Sequence, residues 1–482
     1  MTTSLKSGLR IIILILTGYC FSGCAGSADG PKEKFNQAHA FFIAGEFKKA
    51  EGILDQLKMN PSVDTLLGKE IEILDAKIDR IRIDFSKDEQ KIREELKPWI
   101  PVIDSKVLES WEKLKQLEMR YIDGEKRYFR QAANNFFRIN ATAKKIRNRG
   151  VDPLDKFCLK NTTALLSALD TGTVSGNHGT RFQINYSIKL EPDVVPDGET
   201  VRCWMPYPRN FQARQKNIRL MSVNSDKYYI ASDSVLQRSI YIEKTAKKGE
   251  SLLFAYSAEF ETVQEYFPGE KIIPKPYDTK SELFRKYTSE RPPHIVFSNE
   301  IRQLASFLTR DKKSPFEKVK AIFTWIDQEI PWASALEYSI MENIPHYVLE
   351  NRHGDCGMKT LLFMTLARAS GIPCKWQSGW MLHPGEVNLH DWCMVYYEGI
   401  GWVPLDQSFG LQESSDPSIK YFYCSGIDSY RLIVNDEYGT QFDPPRKFYR
   451  SEPVDFQRGE LEWRGGNLYF DKWDYNMTVT YL

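Results

Sequence analysis

One stretch of the chain, residues 352–373, reads RHGDCGMKTLLFMTLARASGIP. After its Gly-Asp pair, apolar or small residues recur at the spacing of three and four that is typical of a helix with one buried face. These residues are Met358, Leu361, Leu362, Thr365, Leu366 and Ala369. Gly371 and Pro373 then end the helix. Cys356 therefore lies in the first turn, where unpaired N–H groups and the helix dipole stabilise a thiolate. The pattern predicts a nucleophile there.

A β-hairpin is predicted shortly after this helix. Residues 388–397 have the pattern of a strand, residues 398–401 that of a turn, and residues 402–406 that of the returning strand. The hairpin would bring His390 and Asp406 onto neighbouring strands. A histidine that is oriented by a carboxylate and faces a helix N-terminal cysteine is the arrangement used by cysteine acyl-transfer enzymes.

The three blocks together resemble the bacterial transglutaminase-like core. The resemblance rests on GDC at 354–356, HDW at 390–392 and GWVPLD at 401–406, in that order. It implies a papain-like fold with Cys356 as nucleophile, His390 as base and Asp406 as its partner. The superfamily includes protein cross-linking transglutaminases, cysteine peptidases and peptide N-glycanases, so the resemblance predicts fold more sharply than substrate.

A further candidate precedes the nucleophile. Helix 315–330 is predicted from a capping box, Ser314 with Glu317, and Pro331 ends it before Trp332. In some relatives an indole or amide near this position helps the nucleophile's backbone N–H to hold the oxyanion, which makes Trp332 a candidate donor. A core aromatic residue at a helix end is the alternative.

Other polar residues near these motifs receive different interpretations. His353 and His383 could replace His390 as base, but one precedes the helix and the other is predicted in a loop, without a strand-borne carboxylate partner. Asp355 is predicted to cap the Cys356 helix. Asp391 would point to the opposite strand face from His390, which suggests a structural role.

The first residues form a targeting segment. Lys6 and Arg10 give a basic start, residues 11–16 an apolar core too short to span a bilayer, and Phe21-Ser22-Gly23-Cys24 follows. This resembles a bacterial lipoprotein signal covering residues 1–23, with Cys24 as the lipidated residue. A plain secretory peptide cut near Ala25 is the alternative. Either predicts an extracytoplasmic protein, and the first a membrane-anchored one, periplasmic or at the cell surface.

The remaining chain divides into three predicted parts that together give an α+β fold. Residues 24–150 are predicted to be helical, with one tetratricopeptide-like hairpin followed by helices over 66–96 and 107–146. This part is interpreted as a spacer, with a platform for a protein partner as the alternative. Residues 151–179 are predicted to be a connection. Residues 180–265 alternate in hydrophobicity, which indicates an antiparallel sheet, and the resemblance implies a small β-sandwich.

The catalytic part is assigned to residues 294–482, including a C-terminal extension. The extension resembles that of lipoproteins with transglutaminase-like cores from Bacteroidetes. Its aromatic residues could line a substrate groove, but the alternation at Leu468 and Phe470 and at Met477, Val479 and Tyr481 favours strands that finish a sheet.

Composition excludes some classes of function. The chain has 65 Lys and Arg against 64 Asp and Glu, so no nucleic-acid partner is indicated. It has eight cysteines but no zinc-type CxxC pair, and Cys356 must stay free. We therefore predict no metal and no cofactor, and assign no disulfide.

Three functions remain open. The first is a cysteine enzyme that attacks a peptide or side-chain amide and passes the acyl group to water, as a peptidase or amidase, or to an amine, as a transglutaminase. Hydrolysis is favoured because no calcium loop or protected lysine-binding site is recognisable. The second is a peptide N-glycanase-like amidase, and the third is an inactive surface scaffold.

Overall fold

The structure, a computed structural model, describes residues 30–148, 150–170, 179–211 and 214–482. The predicted signal peptide and Cys24 lie outside the described residues. Within the described ranges, no helix is both long and apolar enough to cross a membrane.

The N-terminal part contains eight helices among the residues described. They are α1 Pro31–Ile43, α2 Phe47–Lys58, α3 Thr65–Asp84, α4 Glu89–Leu96, α5 Ser105–Lys113, α6 Ala132–Ile139, α7 Ala141–Arg147 and α8 Pro153–Asp170. The predicted hairpin is α1 with α2, and it buries Phe47 and Leu54 in a cluster shared with α3. A single helix pair cannot bury its own apolar face, so α3 is needed to cover it.

Two predictions for this part are wrong in detail. The helix predicted over 107–146 is interrupted by a hairpin of strands β1 Met119–Ile122 and β2 Glu125–Tyr128. Its turn is Asp123-Gly124, and both residues have positive φ, as a type I′ turn requires. The predicted connection over 151–179 contains α8, because Cys158 and Leu165 are buried and Phe157 packs partly buried against the same core, despite the many Thr, Ser and Asn residues around them.

The following β part begins with six strands. They are β3 Gly179–Leu190, β4 Thr200–Pro206, β5 Gln215–Val223, β6 Tyr228–Ile230, β7 Ser239–Thr245 and β8 Leu252–Val263. The predicted alternation is present, since Phe182, Ile184, Tyr186 and Ile188 are all buried in one core.

The catalytic part surrounds one long buried helix. Its helices are α9 Glu282–Tyr287, α10 Asn299–Thr309, α11 Pro315–Glu329, α12 Ile344–Asn351, α13 Cys356–Ala369 and α14 Pro417–Lys420. Its strands are β9 Glu265–Tyr266, β10 Cys374–His383, β11 Glu386–Tyr397, β12 Gly401–Leu405, β13 Gly426–Ile427 and β14 Arg431–Asn435. A four-stranded sheet has the order β12-β11-β10-β14.

Two features of this part bear on the sequence predictions. The predicted capping box is present, with Ser314 and Glu317 each bonded to the other's backbone N–H. The expectation that α13 buries a single face is wrong. Residues 357–368 are all buried, because the sheet covers one side of α13 while α10, α11 and α12 cover the others.

The C-terminal extension returns to the β part. Its strands are β15 Glu460–Trp463, β16 Gly466–Leu468 and β17 Trp473–Tyr481. They complete two antiparallel sheets, β17-β3-β8-β5 and β16-β15-β4-β7-β6, which share a single core. The prediction that the extension finishes a sheet is confirmed for Leu468 and for the strand that carries Met477, Val479 and Tyr481, but it is wrong for Phe470, which begins a 3-10 helix. The β-sandwich predicted over residues 180–265 is also incomplete without these C-terminal strands.

Candidate active site

Cys356 is the first residue of α13. Asp355 caps this helix by accepting the Met358 N–H at 3.0 Å, as predicted, and also accepts the Tyr338 hydroxyl at 2.5 Å. Burial raises the pKa of Asp355 to about 6. Among the cysteines of the described ranges, only Cys356 is partly exposed, and the other five are buried.

The hydrogen-bond partner of the Cys356 thiol is Asp391. Sγ lies 3.3 Å from Asp391 Oδ2. Burial, and then the neighbouring Asp391 and Asp355 carboxyl groups, raise the pKa of the thiol well above its ordinary value. These effects act against the helix dipole, which favours the thiolate.

His390 and Asp406 form a buried pair, as the hairpin predicted. His390 Nε2 lies 2.7 Å from Asp406 Oδ2, and Asp406 follows directly on β12. Burial opposes ionisation of Asp406, but His390 and Arg431 outweigh it and lower the pKa of this carboxyl. For His390 the order is reversed, since burial lowers its pKa more than Asp406 raises it.

A second buried pair is connected to the first. His383 Nε2 lies 3.2 Å from Asp428 Oδ2, and Arg431 Nη2 bridges Asp428 at 3.0 Å and Asp406 at 3.1 Å. The prediction that His383 lies in a loop is therefore wrong, because His383 ends β10. Its carboxylate partner Asp428 lies between β13 and β14 and is not borne on a strand. His353 is buried, which lowers its pKa to about 4.

The three predicted catalytic residues, Cys356, His390 and Asp406, are not all connected by hydrogen bonds. Adjacent side chains on a strand point to opposite faces, so on β11 Asp391 faces α13 while His390 lies with Trp392 and Phe409. In the described part of the chain, no hydrogen bond links Cys356 to His390. The prediction of opposite faces for His390 and Asp391 is confirmed. Asp391 lies on the strand face toward the thiol and contacts it. The interpretation of Asp391 as a purely structural residue did not include this contact.

Cys356 opens into a cavity of about 240 Å³. Trp332 and Tyr338 share the lining of this cavity with Cys356, and the role of Trp332 as an oxyanion donor stays a prediction. The guanidinium group of Arg138 stacks over the Trp332 ring at 4.3 Å from its centre.

The same cavity is lined by residues that sequence reasoning did not connect with the site. Glu452, Asp455, Gln457 and Arg458 come from the C-terminal extension. Gln457 Nε2 donates to Asp391 Oδ1 at 2.7 Å and to the His390 carbonyl at 2.9 Å. The charged residues between Asp455 and Glu460 were the available signal, but no periodicity places a remote extension next to β11.

The described residues contain no cluster of three or more His, Cys, Asp or Glu side chains arranged to hold a metal ion. The acidic residues around Cys356 are thus not among any such cluster.

Comparison with known proteins finds a family match over the part of the chain that contains the predicted catalytic residues. Residues 302–407 match the family model of the transglutaminase-like superfamily, and this range includes Cys356, His390 and Asp406. The uncharacterized protein YebA of Bacillus subtilis is 28% identical over 131 residues, which cover 23% of this chain and 18% of YebA.

Two solved structures are also similar. A candidate cysteine protease from Cytophaga hutchinsonii is 15% identical, with a TM-score of 0.40, over 63% of this chain and 91% of that one. The periplasmic domain of TgpA from Pseudomonas aeruginosa is 12% identical, with a TM-score of 0.25, over 47% of this chain and 88% of that one.

Proposed function

Since residues 302–407 form a transglutaminase-like domain, we propose that this protein is a cysteine acyl-transfer enzyme that cleaves a peptide or side-chain amide. The observation that carries the proposal is the position of Cys356, at the N-terminus of a buried helix and open to a cavity. The cavity gives the thiol access to substrate, and the helix N-terminus favours the thiolate once the opposing effect of Asp391 and Asp355 is offset.

In the proposed reaction His390, which is paired with Asp406, acts first as the base and then as the acid. His390 takes the thiol proton, and the thiolate attacks the amide carbonyl carbon. The tetrahedral adduct then collapses as the leaving amine takes the proton from His390, which leaves a thioester on Cys356. Water releases the acyl group. In the resting structure Asp391, not His390, contacts the thiol from β11. The scheme therefore requires His390 to be brought to Sγ when substrate binds, as happens to catalytic hydrogen bonds that form only in the substrate complex.

The oxyanion of the adduct would be held by the Cys356 backbone N–H and the indole N–H of Trp332. Cys356 and Trp332 both contribute to the lining of the cavity, which supports this assignment. Two preorganised donors of this kind stabilise the developing charge without reorganisation.

A second candidate function is a binding protein without turnover. The resting bond from Cys356 to Asp391 and the raised pKa of the thiol favour it. In the scheme proposed above, the same bond holds the thiol in place until substrate arrives.

Turnover of an activated acyl ester separates the two candidates. The wild-type protein should release the leaving group repeatedly and form a transient acyl adduct on Cys356, whereas Cys356→Ala should do neither. Cys158→Ala, which removes a buried thiol on α8, should keep the activity. Activity that survives in Cys356→Ala would exclude Cys356 as the nucleophile.

We also propose that the protein is extracytoplasmic and anchored through a lipid on Cys24. The basic start, short apolar core and Ser-Gly-Cys sequence of residues 6–24 support this. Cys24→Ala should move the protein from the membrane fraction to the soluble fraction, and unchanged retention would count against the anchor.

A further inference from the structure

The cavity beside Cys356 has an excess of acidic groups. Five carboxylate side chains and one cation contribute to its lining; these residues are Glu337, Asp355, Asp391, Glu452, Asp455 and Arg458. Carboxylates that share a poorly hydrated space repel one another unless positive charge is supplied.

The one cationic side chain, Arg458, already forms ion pairs with two of these carboxylates. Arg458 Nη2 lies 2.7 Å from Glu337 and its Nε lies 2.6 Å from Glu452. Glu337 has a second partner in Arg130, at 2.8 Å. Asp355, Asp391 and Asp455, by contrast, form no ion pair within the described ranges.

Asp455 is the most unusual of the three. Its side chain lines the cavity, yet the residue is only 9% exposed. Among the described residues, its carboxylate accepts a hydrogen bond from its own backbone N–H and from no other residue. Burial and the nearby Glu452 raise its pKa well above the ordinary value. A buried carboxylate with no donor outside its own residue is costly in its charged form unless a ligand supplies one.

We propose that this cavity binds a primary ammonium group of the substrate, with Asp455 and Asp391 as its principal acceptors. The inference rests on the proposed function and names the substrate feature that the same site selects. An ammonium group is compact and carries three donors, so it can satisfy several carboxylates at once. Because Asp391 also contacts Sγ, the cation must lie close to the amide that is attacked.

The group bound here is a recognition element rather than an acyl acceptor. An amine must be uncharged to attack a thioester, and adjacent carboxylates favour its charged form. A bound cation would also offset the carboxylates that raise the pKa of the thiol, so a cationic substrate would favour formation of the thiolate. Such a site agrees with hydrolysis.

Binding can be tested without catalysis. The Cys356→Ala protein would be heated with ethylammonium chloride, glycinamide hydrochloride or Nα-acetyl-lysine amide, each against sodium chloride at equal ionic strength. We expect a concentration-dependent rise in Tm that is absent when Asp455→Asn is added and retained with Asp226→Asn, a matched change at an exposed site. A larger rise with glycinamide would assign the α-ammonium group, and a larger rise with the lysine derivative the side-chain ammonium group.

A labelling experiment gives a second readout on the intact thiol. Cys356 would be modified with methanethiosulfonates that carry an ammonium, a hydroxyl or a sulfonate group. In the wild-type protein the ammonium reagent should label Cys356 more than about 10 times faster than the hydroxyl reagent. In Asp455→Asn this ratio of rates should fall about tenfold, which corresponds to a loss of about 1.4 kcal/mol. Equal ratios in both proteins, together with no ammonium-dependent rise in Tm, would overturn the inference. Neither readout requires turnover, so failure of the proposed function would be seen separately.

Discussion

At the scale of single residues, the site is decided by which of two neighbours on β11 faces the thiol. Asp391 contacts Sγ, while His390 is held by Asp406. A carboxylate next to a thiol opposes loss of its proton, whereas an imidazole can accept that proton. The two residues therefore have opposite expected effects on thiol reactivity.

Replacement of Asp391 should make Cys356 more reactive. In Asp391→Asn the acidic neighbour that raises the pKa of the thiol is removed, so thiolate should form at lower pH. The measurement is the rate of iodoacetamide alkylation at Cys356 between pH 6 and pH 10. The midpoint of the profile should move to lower pH. A shift to higher pH, or slower alkylation throughout, would identify Asp391 as the base instead.

Removal of Arg431 should destabilise the fold. Arg431 is buried between Asp406 and Asp428, and it lowers the pKa of both carboxyl groups. In Arg431→Gln both carboxylates keep their histidine partners but lose the buried cation between them, and breaking a buried ion pair costs about 3–5 kcal/mol. Urea unfolding at pH 7 measures the loss, and Arg464→Gln, which removes an exposed ion pair, should change little.

The pH dependence of this effect has a defined sign. Because both carboxyl groups have lowered pKa values in the folded protein, their stabilising contribution is present above about pH 4 and is lost as the pH falls through the folded values. The difference between Arg431→Gln and wild type should therefore shrink in acid. A constant difference would contradict the assigned charges.

For single helices and strands, the features that were predicted correctly are those that depend on residues close together in the sequence. The helix that starts at Cys356, the Asp355 cap, and the hairpin that joins His390 to Asp406 all follow from spacing, capping and turn residues. The complete burial of α13 does not, because it depends on helices that pack from remote parts of the chain. For the same reason, Gln457 and Asp455 could not be assigned to the site.

The N-terminus of α13 should tolerate no added methyl group. A Cβ on Gly357 would clash with the Tyr338 hydroxyl and come within 2.7 Å of Asp391 Oδ2. Gly357→Ala should therefore cost about 1–3 kcal/mol and disturb labelling of Cys356. Gly52→Ala, where nothing lies within 4 Å in the exposed helix α2, should stabilise the protein by about 1 kcal/mol. Equal effects in thermal or urea unfolding would contradict the packing described for Gly357.

At the scale of the whole molecule, the site is assembled from three parts of the chain. The helical part is not a detached spacer, because Asn135 and Ser334 exchange hydrogen bonds at 2.8 Å and Asp84 accepts the Glu337 N–H at 2.8 Å. These contacts hold the segment that lines the cavity. The extension supplies the opposite wall and also completes the β-sandwich. The fold class could be predicted from the sequence, whereas this assembly depends on long-range contacts that leave no periodic signal.

The central claim is that Cys356 is a nucleophile whose reactivity depends on His390. Intact-protein mass spectrometry after brief exposure to a limiting amide-mimic electrophile tests it, with His390→Gln compared with His383→Gln, a matched change at the second buried histidine pair. We expect one rapid adduct at Cys356, slowed about 100-fold or more in His390→Gln and little changed in His383→Gln. Equal labelling in His390→Gln and wild type, or slow labelling spread over several cysteines, would contradict the claim.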